Sequence, residues 1–201
     1  MAPNMQFDRE KLKDTVLYIC SHCEPSQLGA VKLHKVLYYS DMIQFLAVGS
    51  PLTGATYRKR PHGPTCDALL PVLRELTGAN ALEIGEADYF GYKKKEFRAL
   101  TKPAMERFSE SEILILDEMI DFVCRNNTAK TISEFSHAVP WEIVDFGEEL
   151  RYHNALHLIP SQVSKETFDW AEQQAADIEA ERSQSDPMDY PAFSTLRALV
   201  S

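Results

Sequence analysis

Three stretches of the chain carry residue types that could do chemistry. His62 and Cys66 stand four residues apart in "HGPTC", and a histidine can draw the proton from a thiol to make a nucleophile. Glycine and proline lie between them, however, and no third residue is placed to orient the imidazole. A turn role for His62 therefore fits the local sequence better than catalysis. Cys20-Ser-His-Cys23 has the CxxC spacing of a metal clip. Zinc needs further well-placed ligands, and no second CxxC or HxxxH follows. Two small buried thiols one helical turn apart account for the motif more simply. His137 and Trp141 sit in "SHAVPW", where a histidine satisfying a backbone carbonyl beside a core tryptophan is the structural expectation. The chain has no GxGxxG, GxxxxGK[ST], GxSxG or HExxH, so no phosphate loop, hydrolase elbow or zinc helix is expected and no cofactor is assigned.

Two further groups suit recognition. "KLHKVLYYSD", Lys32 to Asp41, places adjacent tyrosines on an otherwise apolar helix. Tyr38 and Tyr39 are about 100° apart on it, so one can be buried while the other offers its hydroxyl at a rim. In "YRKRPHGP", Tyr57 to Pro64, alternation puts Arg58 and Arg60 on one strand face and Lys59 on the other. Paired arginines suit a carboxylate-rich partner as well as phosphate.

The elements that must position these residues read as mostly helical. Phe7, Leu12, Val16, Ile19 and Cys23 form one stripe of a helix over 7–23. A more apolar helix runs from Leu28 to Val48 and stops at Gly49 and Pro51. "ATYRKR" is extended. "PHGP" is expected to break it and open a helix at Pro64, with Leu69, Leu73 and Leu76 on the buried face and Pro71 kinking it or moving its start. Residues 82–90 and 93–100 read as two strands about Gly91, the one clear hairpin. Ser109 and Glu112 form a capping box for a helix through Ile113, Leu116, Ile120 and Val123 to Arg125, and Thr131 with Glu134 repeats it for a short helix to His137. "VPWEIV" starts another helical piece ending near Gly147. An acidic helix is expected over 164–182, then a linker and an apolar tail. The fold class expected is mainly α with a small β-hairpin, a single-domain helical bundle.

Charge and composition narrow the function classes. The chain has 201 residues, 44% hydrophobic and 25% charged, as an ordinary globular protein has. No run approaches 18 apolar residues, which argues against a membrane helix. The N-terminus has no apolar h-region, so the cytoplasm is the expected compartment. Of the net charge of −9, all arises in residues 142–189, with twelve Asp/Glu against three Lys/Arg; the other 153 residues balance at eighteen each. A nucleic-acid partner is not expected, because the bulk field repels a polyanion and only "RKR" and "KKK" are locally basic.

Taken in order, "VKLHKVLYYSDMIQFLAVGSPL", "ATYRKRPHGP", a hairpin, a capped helix and "ISEFSHAVPW" resemble the Panacea domain of SocA-like antitoxins over about residues 7–150. His34 stands where that family commonly has glutamine, and His62 where it often has an aromatic residue. The resemblance implies a mainly helical domain over 1–160, followed by an acidic appendage over 161–201. It implies an antitoxin that binds and neutralises a cognate protein toxin encoded beside it, often in prophages. Some relatives hand the toxin to a protease. A homo-oligomer is left open. On this reading the partner-binding residues are Tyr39, Asp41, Tyr57, Arg58, Arg60, His62, His137 and Trp141, gathered in one polar-aromatic patch. None is assigned catalysis. The alternatives are a small-molecule-binding or hydrolytic enzyme using the same histidine, tyrosine and cysteine groups, and a DNA-binding regulator.

Overall fold

Asp8 opens the first helix: its carboxylate accepts the N–H of Lys11 at 2.9 Å, filling one of the orphan donors of α1 (Arg9–His22). The computed structural model describes residues 5–158 apart from Phe90, together with 173–174. The named elements belong to the unit Met1–Ile159. Leu12, Val16, Ile19 and Cys23 are buried as the stripe predicts, whereas Phe7 precedes the helix and is exposed. α2 (Ala30–Val48) is buried around most of its circumference, so it forms the centre of this unit rather than one side of it. Gly49 ends it at φ 76°, with its N–H on Phe45 O at 2.8 Å.

β1 (Tyr57–Arg60) and β2 (Gly63–Cys66) form an antiparallel hairpin about Pro61 and His62. This corrects the helix expected to open at Pro64. β1 is paired on its other side as well, by Leu150 N–H on Tyr57 O at 2.8 Å and by Lys59 N–H on Glu148 O at 2.9 Å. β2 is therefore the edge, where a proline without a donor is tolerated. The helix α3 starts later (Leu69–Gly78). Pro71 thus falls in its first turn, where an N–H has no intrahelical acceptor.

β3 (Leu82–Tyr89) and β4 (Tyr92–Ala99) form the second hairpin, turning through Gly91 at φ 85°. Ser109 and Glu112 make the expected reciprocal cap of α4 (Glu110–Ile120), which continues into a π turn over Asp121–Arg125. Thr128, not Thr131, caps α5 (Ala129–Phe135); Thr131 is the partner three residues on. α6 (Val139–Glu142) is shorter than expected, and a 3-10 turn covers Tyr152–Leu158. α2 packs against α1, α4, α5, β2 and this last turn. The fold is mainly α with small antiparallel β elements. No helix among the described residues is long and apolar enough to cross a membrane. The acidic helix expected over 164–182 and the tail lie outside the described residues, apart from 173–174.

Candidate functional site

The polar equipment of α2 is divided between an interior hub and a surface. Asp41 has no exposed area. Its Oδ1 accepts Thr53 N–H at 2.6 Å, and its Oδ2 accepts the Thr53 and Tyr57 hydroxyls, each at 2.6 Å. Burial pushes its pKa up, and the hydrogen bonds from Thr53 and Tyr57 oppose that. Tyr152 closes the hub by donating to Ala55 O at 2.6 Å. The carboxylate ties the turn after α2 to the helix and anchors β1.

Three residues expected at the contact surface are thereby placed inside. Asp41 serves the hub. Tyr57 is 1% exposed, because the β1 face that carries it meets Tyr38 at 5.4 Å between ring centroids and Tyr152 at 6.5 Å. Tyr39 is 4% exposed against Phe122, and its hydroxyl has no hydrogen-bond partner among the described residues. The expected rim tyrosine is therefore absent: Tyr38 is buried too. Arg58 is half-buried, paired with Asp67 at 2.6 Å and bonded to Gly147 O at 3.2 Å, so it is committed to the fold.

The remaining four do meet. His137 stacks on Trp141 with centroids 4.1 Å apart, and Trp141 Nε1 donates to Arg60 O at 3.3 Å. Ser133 Oγ donates to His62 O at 3.1 Å, so α5 is clasped to the β1–β2 turn. Arg60 and His62 are exposed, while His137 and Trp141 are half-buried. Lys59 joins them, with its ammonium 4.1 Å from the Trp141 ring centroid. Sequence reasoning missed the apolar rim. Of thirteen large apolar side chains exposed among the described residues, Phe135, Val139, Ile143 and Phe146 fall within twelve positions around Trp141. The signal was present: "VPWEIVDF" is dense in apolar residues, yet a four-residue helix has no stripe long enough to bury them.

Beneath this surface lies Lys35, 1% exposed, with one hydrogen bond, to Pro64 O at 3.0 Å. Burial pushes its pKa down to about 7. Its neighbour His34 accepts the Cys66 N–H on Nδ1 at 3.1 Å, and burial, then the Lys35 charge, push its pKa down to about 4. His34 is therefore neutral with its proton on Nε2. Gly63 makes this packing possible. It sits at φ 89°, and a Cβ there would lie 2.3 Å from Ser136 Oγ and 2.5 Å from Lys35 Nζ. Gly63→Ala is expected to lower stability by about 2 kcal/mol through left-handed strain and overpacking. Urea unfolding checks it; a midpoint equal to that of the parent chain contradicts the packing described.

The His62–Cys66 nucleophile does not form. Cys66 is buried, its thiol is pushed up to about 12 by burial, and its N–H goes to His34 rather than His62. Cys20, Cys23 and Cys124 are buried free thiols, and no cluster of three metal-ligating side chains occurs among the described residues.

The family model of the SocA-like antitoxin, Panacea domain matches residues 33–142. That is more than half of the chain, and the chain belongs to this family. The matched segment runs from α2 through α6 and takes in Asp41, Thr53, Tyr57, the β1–β2 turn and Trp141, but not Ile143, Phe146 or Tyr152. It is narrower than the span over which the motifs resemble the family, leaving out α1 and residues 143–150. No curated protein and no solved structure matches the chain.

Proposed function

We propose that this chain is the antitoxin of a toxin–antitoxin pair and neutralises a cognate protein toxin by direct, stoichiometric contact. Family membership supports the antitoxin role. The observation that carries the contact surface is the exposed apolar residues Phe135, Val139, Ile143 and Phe146, which flank in sequence a tryptophan that stacks on His137, lies under the Lys59 ammonium and bonds the Arg60 backbone. Exposed apolar clusters rimmed by polar groups mark protein interfaces, and Trp and Arg contribute strongly there once desolvated. Arg60 and His62 belong to the same face. A domain over 1–160 carries this surface, with 161–201 as an acidic appendage to it. A net charge of −9 disfavours duplex DNA as the partner. Delivery of the toxin to a protease would use the same contact and differ only in shortening the toxin's lifetime.

The test is co-expression with the neighbouring open reading frame, scored for growth and paired with thermal unfolding. Phe146→Ala and Arg60→Ala are expected to stay within about 0.5 kcal/mol of parental stability, since both side chains are exposed. Each is expected to weaken toxin binding about thirtyfold, as loss of an interface anchor does. Leu114→Ala, exposed on α4, is the control and should rescue growth fully. Full rescue by both Phe146→Ala and Arg60→Ala would remove this surface from consideration.

A further inference from the structure

The buried lysine raises a separate question. An interior ammonium is ordinarily paired with a carboxylate. Lys35 has none: of its three N–H donors one reaches Pro64 O, and no Asp or Glu among the described residues pairs with it. Lys35 lines a cavity of about 330 Å³ together with His34, Arg60, His62 and Thr65. No acidic side chain lines that cavity. Arg60 is a cationic wall residue, Lys35 becomes one as pH falls through about 7, and His34 offers an N–H on Nε2 because its Nδ1 is already an acceptor. Such a wall is the complement of an oxygen-bearing anion, for which charge-assisted N–H donors are the strong partners. The volume is at the small end for ligand sites, which suits one anionic head group rather than a whole nucleotide.

We propose that this cavity, between the first turns of α2 and the β1–β2 hairpin, binds a single oxyanion, a phosphate or a carboxylate, through Lys35, Arg60 and His62. The site holds whether or not the Trp141 surface binds a toxin, and the test below uses no toxin. A carboxylate would come from an acidic side chain or C-terminus of a partner, a phosphate from a free or esterified phosphate.

Purified chain labelled with [13Cε]lysine is titrated from pH 5 to 10 in chloride, sulfate or acetate at equal ionic strength. Sulfate stands in for phosphate without titrating in that range. The charged and titratable groups near Lys35 are His34 on α2 and His137 after α5, whose protonation its charge opposes, with Arg60 and His62 in the same cavity wall. The Lys35 midpoint is expected near 7 in chloride and about one unit higher with a bound anion. A larger rise in sulfate identifies a phosphate site, and a larger rise in acetate a carboxylate site. Arg60→Ala with His62→Ala, two exposed positions that leave the fold intact, should reduce the rise at least fivefold. In Lys35→Met, the anion-induced shifts of the His62 ring should vanish. An unchanged Lys35 midpoint in all three salts overturns the proposal. So does an equal rise in the Arg60→Ala, His62→Ala chain, which would make the effect one of bulk salt.

Discussion

Asp41→Ala is expected to be strongly damaging, lowering stability by about 3–5 kcal/mol, because three buried donors lose their acceptor together. It leaves Thr53 N–H, the Thr53 hydroxyl and the Tyr57 hydroxyl without acceptors in a site that water does not reach. Each orphaned donor costs about 1–3 kcal/mol. For a domain of this size the melting temperature should fall by about 10 °C. Tyr57→Phe removes one donor and keeps the acceptor, so about 1–2 kcal/mol is expected. Tyr57→Ala also empties a ring-sized space between Tyr38 and Tyr152 and belongs with the severe changes. Thermal and urea unfolding of the three variants should rank them Asp41→Ala and Tyr57→Ala well below Tyr57→Phe. If Asp41→Ala melts within 2 °C of the parent, the carboxylate is not what holds the turn to α2.

Lys35→Met is expected to act in the opposite direction and to reshape the pH profile. The folded-state pKa of Lys35 is about 7 against an ordinary 10.5. Between those values the unfolded chain binds a proton that the folded chain does not, so stability rises with pH across that window. The contribution is fully present above 10.5, declines as pH falls toward 7, and is constant below that. Replacing the ammonium by an isosteric thioether removes the slope and should raise stability at pH 7 by a few kcal/mol, as apolar replacement of buried charge can. His34 adds a second, lower window. Its pKa falls from 6.5 to about 4, so stability declines as pH drops through that range. Urea unfolding at pH 5, 7 and 9 separates the two. A parental chain with the same stability at pH 7 and 9 would mean that Lys35 keeps its ordinary pKa.

The helices were legible because their signals are local. The stripe of α1, the glycine stop of α2 and the Ser109–Glu112 cap each lie within at most a few turns of sequence. The second hairpin was legible for the same reason, since Gly91 sits between two runs rich in aromatic and charged residues. What was missed depends on distant partners. β2 is a strand only because β1 lies beside it and 147–150 covers β1's other edge; in isolation Gly63-Pro64 reads as a helix start. Asp41 was read as a partner-binding residue on an otherwise apolar helix, and nothing near it in sequence announces that Thr53 and Tyr57 will fold back onto it. Strand alternation put Lys59 apart from Arg58 and Arg60, whereas the long lysine stem brings its ammonium to the Trp141 ring beside Arg60; that the Tyr57 side faces inward was set by Tyr38 and Tyr152. The pairing of His137 with Trp141 was visible in "SHAVPW", whereas the depth of Lys35 was not, because lysine is the residue least expected there.

The closure of β1 by Gly147–Leu150 has a consequence for the order of synthesis. Tyr152 reaches Ala55 across 97 residues of chain. On a ribosome adding 5–20 residues per second, roughly 5 to 20 seconds separate the appearance of Tyr57 from that of Leu150. Throughout that interval the outer edge of β1 has no partner and one wall of the Asp41 hub is missing. Native contacts so far apart in sequence also slow folding once the chain is free. The Trp141 surface is clasped to the same hairpin, so it matures only after Leu150 has been added. On the antitoxin role proposed above, the gene gains from being read before that of the toxin.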